Sequence, residues 1–211
     1  MIYEFNGYKP VIHSSAYVHK EATLIGNVII GKNVYIGPGA SLRGDWGRIT
    51  IEDGCNVQDN CTIHIFPGKD VLLKQNSHIG HGAIIHGANI GRNSLVGMNA
   101  VVMDDAKVGD ECIIGALCFI RGEMQIPNRK IVVGNPAKIK GDVTDKMLDW
   151  KTKGTELYQT LSKECSELMN ECTPLAEIEK HRKEKQKNTF MDLITNTTHA
   201  HEHPHTNNAG A

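Results

Sequence analysis

From residue 22 the chain reads ATLIGN, VIIGKN, VYIGPG, ASLRGD, a period of six with a small or β-branched first slot and an aliphatic third slot. Carried backward, the third slot takes Ile12 and Val18; carried forward it takes Leu24, Ile30, Ile36 and Leu42, then, after three extra residues, Ile51, Val57 and Ile63. A four-residue excursion around FPGKD precedes Leu73, Ile79 and Ile85. A one-residue deletion precedes Ile90, Val96, Val102, Val108, Ile114, Ile120, Ile126 and Val132. No α-helix keeps a strict period of six. The pattern predicts an all-β fold over about residues 10–135, a β-helix of short strands joined by corners, in which slot three forms an interior ladder.

This repeat resembles that of the hexapeptide-repeat proteins, which are left-handed parallel β-helices with three hexads per coil. The period alone does not set the hand, and ordinary crossover statistics favour right-handed connections. After GNPAK (134–138), similar to the turn that closes many such domains, the pattern changes. Thr144 can cap a helix, and Leu157, Tyr158, Leu161, Cys165, Leu168, Met169 and Cys172 recur at helical spacing through LYQTLSKECSELMNEC. This predicts an amphipathic α-helix packed along the β-helix, broken by Pro174 and followed by a short charged helix over 175–185. The expected organisation is a β-helix domain over 1–140, a C-terminal helical segment over 141–185 and a disordered His-rich tail over 186–211. His199, His201, His203 and His205 alternate in that tail, with at most weak metal affinity expected.

A chain of 211 residues suits one sizeable core with an appendage. The formal net charge of -1, with acids and bases mixed, leaves no basic footprint for nucleic acid and no polybasic membrane anchor. The start, MIYEFNGYKP, is unlike a signal peptide, and no apolar run approaches the ~20 residues of a membrane span, so a cytoplasmic protein is expected. The six cysteines contain no C-x-x-C pair. Cys55, Cys61, Cys112 and Cys118 all fall in slot one among Ala, Ser and Val, which marks them as packing residues rather than zinc ligands.

The stretch HIGHGAIIHG (78–87) holds three histidines. His64 and His86 both follow a slot-three isoleucine, and their separation of 22 residues is one 18-residue coil plus the four-residue excursion. They should lie on one face, one coil apart, with ~4.8 Å between backbones, where two imidazoles can share a metal. His81 stands in slot five, across a corner, and reaches that ion more easily in a neighbouring copy. Three chains around a threefold axis would complete three sites, each with two histidines from one chain and one from the next. His78, in slot two, has no matching partner and is expected at the surface or behind the ligands.

RGD (43–45), NVQD (56–59), His64 and the H-x4-H at 81 and 86 resemble the metal-site signature of the gamma-class carbonic anhydrases. ASLRGDWGRI, NVQDNCTIH, HIGHGAIIHG, LVGMNAVVMD, VGNPAK and DWKTKGTELYQ are closest to one bacterial branch of that family, that of the phenylacetic acid degradation protein PaaY and carnitine operon protein CaiE. The resemblance implies that His64, His81 and His86 bind zinc or another divalent ion such as Fe2+ or Co2+, in a homotrimer that shares each site between subunits. It implies that Gln58 orients a metal-bound water, and that Arg43, Asp45 and Asp59 form a buried ion-pair network near the site and the subunit interface. It also places Tyr158 on a helix where the branch carries a tyrosine, either approaching the site or packed in the core.

The family's archetype has an acidic loop whose glutamates export protons. Here Asp45 is followed by WGRITI and His64 by IFPGKD, with no glutamate in either place, which argues against fast CO2 hydration. Trp46 and Phe66 suit an organic acyl group instead. The resemblance to the phenylacetate branch implies hydrolysis of acyl-CoA thioesters, with metal-bound hydroxide attacking the thioester carbonyl. The alternatives are CO2 hydration, a metal-independent hexapeptide-repeat acyltransferase using one histidine as base, and a non-catalytic accessory protein of carnitine or CoA metabolism.

Overall fold

The computed structural model describes residues 1–182, and its first compact unit spans Met1–Met169. Short parallel strands stack into three faces, as the hexad period requires. Thr62–His64, Ile84–His86, Val101–Val102 and Phe119–Ile120 build the first face. Val71–Leu73, Asn89–Ile90, Lys107–Val108 and Gln125–Ile126 build the second. The third runs through Tyr17–Val18, Tyr35–Ile36, Asn56–Val57, His78–Ile79, Leu95–Val96 and Ile113–Ile114. Two longer strands, Thr23–Ile30 and Ser41–Ile51, turn a corner and serve both of the first two faces.

The register repeats every 18 residues, as in Val101 opposite Phe119 and Leu95 opposite Ile113. It lengthens to 22 across the excursion, pairing Val57 with Ile79, and shortens to 17 at the deletion, pairing Ile79 with Val96. From Leu24 to Val132 the predicted slot-three ladder is buried throughout, while Ile12 and Val18 pack partly buried at its open end. Slot one is also interior. Cys55, Cys61 and Cys112 each donate an S–H to a carbonyl one coil on, of Lys74, Gly80 and Pro127, all at 3.1 Å. Burial pushes the Cys55 thiol up to about 12 and Cys61 to about 11, so both stay protonated as packing residues at neutral pH.

Slot six closes each corner in the left-handed backbone region. Asn33, Asn60, Asn76, Asn93 and Asn99 adopt φ of 52–61° there, and Gly39, Gly54 and Gly82 do the same. Asparagine and glycine tolerate this conformation best. Among the later coils Glu111, Leu117, Glu123 and Arg129 adopt it as well.

Turn 134–137 ends the coils, and Lys138–Asp142 folds back antiparallel on Lys130–Val133. Thr144 then caps the helix Asp145–Leu168, its side chain accepting from the Met147 N–H. The helix belongs to the same compact unit as the β-helix, Met1–Met169. Of the expected apolar stripe only Cys165 is fully buried, alongside the polar Lys151, Thr155 and Ser162; Leu157, Tyr158 and Leu161 are partly buried, and Leu168 and Met169 are exposed. The corners it covers offer carbonyl and amide oxygens rather than apolar surface. Lys151 Nζ donates to Asn76 O (2.6 Å) and Asn93 Oδ1 (2.7 Å), Gln159 Nε2 to Gly54 O (3.1 Å), and Ser162 Oγ to Val34 O (3.1 Å).

Helix formation stops before Cys172, which is exposed. The predicted short helix is absent from 175–182, where every residue is exposed in bends and turns. A helix that short gains too little from its own hydrogen bonds to persist without a surface to cover. The expected disordered tail, 186–211, lies outside the described residues. Among the described residues no helix is long and apolar enough to cross a membrane.

Candidate metal centre

His64 and His86 are Cα partners on adjacent strands of the first face, as their spacing predicts. Each is followed along the stack by a carboxylate from the next coil outward. His64 Nε2 lies 3.0 Å from Asp45 Oδ1, and His86 Nδ1 lies 2.8 and 2.9 Å from the two oxygens of Asp104. The result is a column of four side chains from four coils, Asp45, His64, His86 and Asp104. Arg43 Nη1 donates to Asp45 Oδ2 at 3.0 Å and steadies its far end.

These carboxylates decide the tautomers. Each accepts the N–H of the nitrogen it faces, so His64 carries its proton on Nε2 and His86 on Nδ1. The inner nitrogens, His64 Nδ1 and His86 Nε2, are then both acceptors, and they stand 3.3 Å apart. A direct hydrogen bond between them would need an additional proton on the pair; otherwise two lone pairs face each other. A tetrahedral zinc with Zn–N bonds of about 2.05 Å separates its ligand nitrogens by roughly 3.3 Å. The donor set and its spacing therefore fit a divalent metal.

His81 is part of a second column at the corner between the third and first faces. Its Nδ1 lies 3.2 Å from Asp59 Oδ2, and its Nε2 is 3.5 Å from the Tyr158 hydroxyl. Among the described residues none of its hydrogen bonds reaches His64 or His86. Nor, among the described residues, does any group of three or more His, Cys, Asp or Glu side chains converge on a possible metal position. The sequence brings two histidines together and leaves the third apart.

The anticipated buried network of Arg43, Asp45 and Asp59 divides in two. Arg43 is half-exposed and pairs with Asp45 alone, while Asp59 serves His81. Asp59 stands on the His81 corner, one coil before it, whereas Arg43 and Asp45 stand at the end of the His64 column. Tyr158 is partly buried, its ring 5.4 Å from that of Tyr35 and its hydroxyl 3.5 Å from His81 Nε2. Burial raises its pKa, so it remains a phenol that can donate.

His78 is partly buried. Its ring stands edge-on to Tyr158 at 5.3 Å and 90°, and its Nε2 is 2.6 Å from Gln58 Nε2. Gln58 is 2% exposed and also donates to Asn56 Oδ1 at 3.0 Å. Trp46 and Phe66 form an exposed roof over the first column. Their rings are stacked at 6.5 Å, with Trp46 5.2 Å from His64 and Phe66 5.0 Å from His86. Asp104 escaped sequence reasoning, although a usable signal was present: it follows His86 by one 18-residue coil.

The family model for the bacterial transferase hexapeptide (six repeats) matches residues 9–44 and 87–122. Carnitine operon protein CaiE of Citrobacter koseri is 49% identical over 180 residues, which cover 85% of this chain and 91% of that protein. CaiE of a Proteus species is 47% identical, covering 86% and 92%. Among solved structures, a hexapeptide transferase family protein from Anaplasma phagocytophilum superposes with a TM-score of 0.75 at 31% identity, over 77% of this chain and 96% of that one. With relatives this similar over most of its length, the chain belongs to the hexapeptide-repeat family, in the group that includes carnitine operon protein CaiE.

Proposed function

We propose that this protein is a metal-dependent hydrolase of acyl-CoA thioesters, active as a homotrimer whose metal sites are completed across the subunit interface. The observation that carries the proposal is the facing pair His64 Nδ1 and His86 Nε2, 3.3 Å apart with a carboxylate behind each ring. His64 and His86 of one chain and His81 of the next would hold zinc or a similar divalent ion. When bound, the metal would supply Lewis acidity toward water and toward a carbonyl oxygen.

The remaining work falls to this chain's own residues. Asp45, Asp104 and Asp59 hold the three imidazoles in the tautomers that leave one lone pair free on each. Gln58 Oε1 accepts from the attacking water and orients it. Attack at the thioester carbonyl carbon forms the C–O bond and breaks C–S; one water proton ends on the CoA sulfur, and the acid leaves as carboxylate, its proton released to solvent. Trp46 and Phe66 give the mouth an apolar rim suited to an acyl chain and exclude bulk water.

Assembly is supported by exposed apolar side chains on the His81 side of the fold. Ile84, Met98 and Leu117 are 39%, 55% and 70% exposed, and the Asn99 and Leu117 N–H groups donate to His81 O and Met98 O along one corner column. A heterologous contact that sets this corner against the His64 column of the next chain closes into a ring. The test is turnover of a panel of acyl-CoA esters, and of CO2, by metal-loaded and chelated protein. Thioester hydrolysis that disappears on chelation is the expected result. CO2 hydration alone would identify a carbonic anhydrase instead, and chelator-insensitive acyl transfer would identify an acyltransferase.

A further inference from the structure

Gln58 reaches the third face from beneath the helix, and its amide is held by two residues that are themselves register partners, Asn56 and His78. Its Nε2 has acceptors on both sides, Asn56 Oδ1 at 3.0 Å and His78 Nε2 at 2.6 Å. With Asn56 Oδ1 as the facing acceptor, the reverse amide orientation would set Gln58 Oε1 against it, two acceptors in contact. We propose that His78 is a positioning residue: as a neutral imidazole protonated on Nδ1, it accepts from Gln58 Nε2 and so dictates which end of the amide is left to act as acceptor in the active site. This rests on the reading of the site as a hydrolytic metal centre with Gln58 orienting the water.

The chemistry depends on the direction of one hydrogen bond. An N–H on His78 Nε2 would point at the Gln58 NH2, donor against donor, and the amide would turn to offer Oε1 to His78. Gln58 would then present its NH2 to an incoming water and could no longer accept from it. Burial, reinforced by the charges of Lys151 and His81, lowers His78 to about 3, which keeps the ring neutral at physiological pH. The Tyr158 ring edge packs perpendicular to it and prevents rotation. Two buried nitrogens beside this contact, His78 Nδ1 and Asn56 Nδ2, have no partner among the described residues.

Two measurements test this, and only one needs turnover. In 15N-histidine-labelled wild-type protein, His78, identified by the signals lost in His78→Phe or His78→Asn, is expected as the neutral Nδ1–H tautomer. An Nε2–H tautomer overturns the inference whatever the protein hydrolyses. In the kinetic arm, His78→Phe should lower kcat about tenfold with KM within about twofold, the loss expected from one misdirected hydrogen bond. In a Gln58→Ala background the same substitution should change kcat less than about twofold. Equal losses in both backgrounds would show that His78 acts independently of Gln58 and overturn the inference. Absence of any turnover in the wild type would instead refute the hydrolase reading, and the tautomer would still decide the role of His78.

Discussion

His64 Nδ1 and His86 Nε2 face each other at 3.3 Å, while Asp45 and Asp104 lie against the outer nitrogen of each ring. If the pair holds a metal as proposed, the carboxylates behind the two rings are as much part of the site as the imidazoles.

Asp104→Asn should therefore weaken the metal site without removing a ligand. The amide still reaches His86 Nδ1 but no longer accepts with a full charge, and loss of such a partner costs about 10–100-fold in metal affinity. Metal content after dialysis against graded chelator measures it. His64→Ala, His81→Ala and His86→Ala should each lose the metal entirely, and an affinity for Asp104→Asn equal to wild type would show that the carboxylate is a bystander.

Separation of His81 from the pair yields a complementation experiment. His64→Ala and His81→Ala homotrimers should both be metal-free. Unfolded together and refolded as mixed trimers, they should regain metal wherever a His81→Ala chain supplies its intact His64 and His86 to a neighbour that retains His81. Mixed trimers as empty as the parents would mean that all ligands come from one chain.

Lys151 is 2% exposed, and burial lowers its pKa to about 7. Between about pH 7 and its unfolded value near 10.5 the native amine is neutral while the unfolded one is protonated. The unfolded state then binds more protons, so stability rises with pH through this window, by at most about 1.4 kcal/mol per pH unit. Below the folded pKa both states are protonated, and this contribution to the pH dependence vanishes. Thermal unfolding of wild type and Lys151→Met across pH 6–10 should show the wild type gaining on the variant as pH rises. A constant difference would mean that the native amine keeps its proton.

Glu123 is exposed with φ of 63°, a backbone region that disfavours a Cβ. Glu123→Gly should release this strain and stabilise by about 1 kcal/mol, less whatever freedom glycine adds to the unfolded chain. Glu123→Asn, which suits the left-handed region without that loss, should raise the melting temperature more. A fall in both variants would indicate that the glutamate side chain contributes more than its backbone costs.

The sequence by itself determined the coil. Interior burial repeats strictly with the hexad, so Leu24 through Val132 could be placed inside, the slot-one cysteines recognised as filler, and His64 set beside His86 from their 22-residue separation. Slot six carried its own signal, asparagine or glycine where the chain turns left-handed. Relationships along one column are legible because each coil repeats the last. Tertiary structure decided what depends on geometry across corners or between separate elements: that Asp59 attends His81 rather than Arg43, that the helix docks through Lys151 and Ser162 rather than its leucines, and that His78 lies beneath Tyr158 against Gln58. A hexad period reports which slot a residue fills. It carries no information about the direction of a ring nitrogen or about which surface a helix beginning at residue 145 will cover, because those follow from side-chain reach and from the donors and acceptors left open on the finished stack.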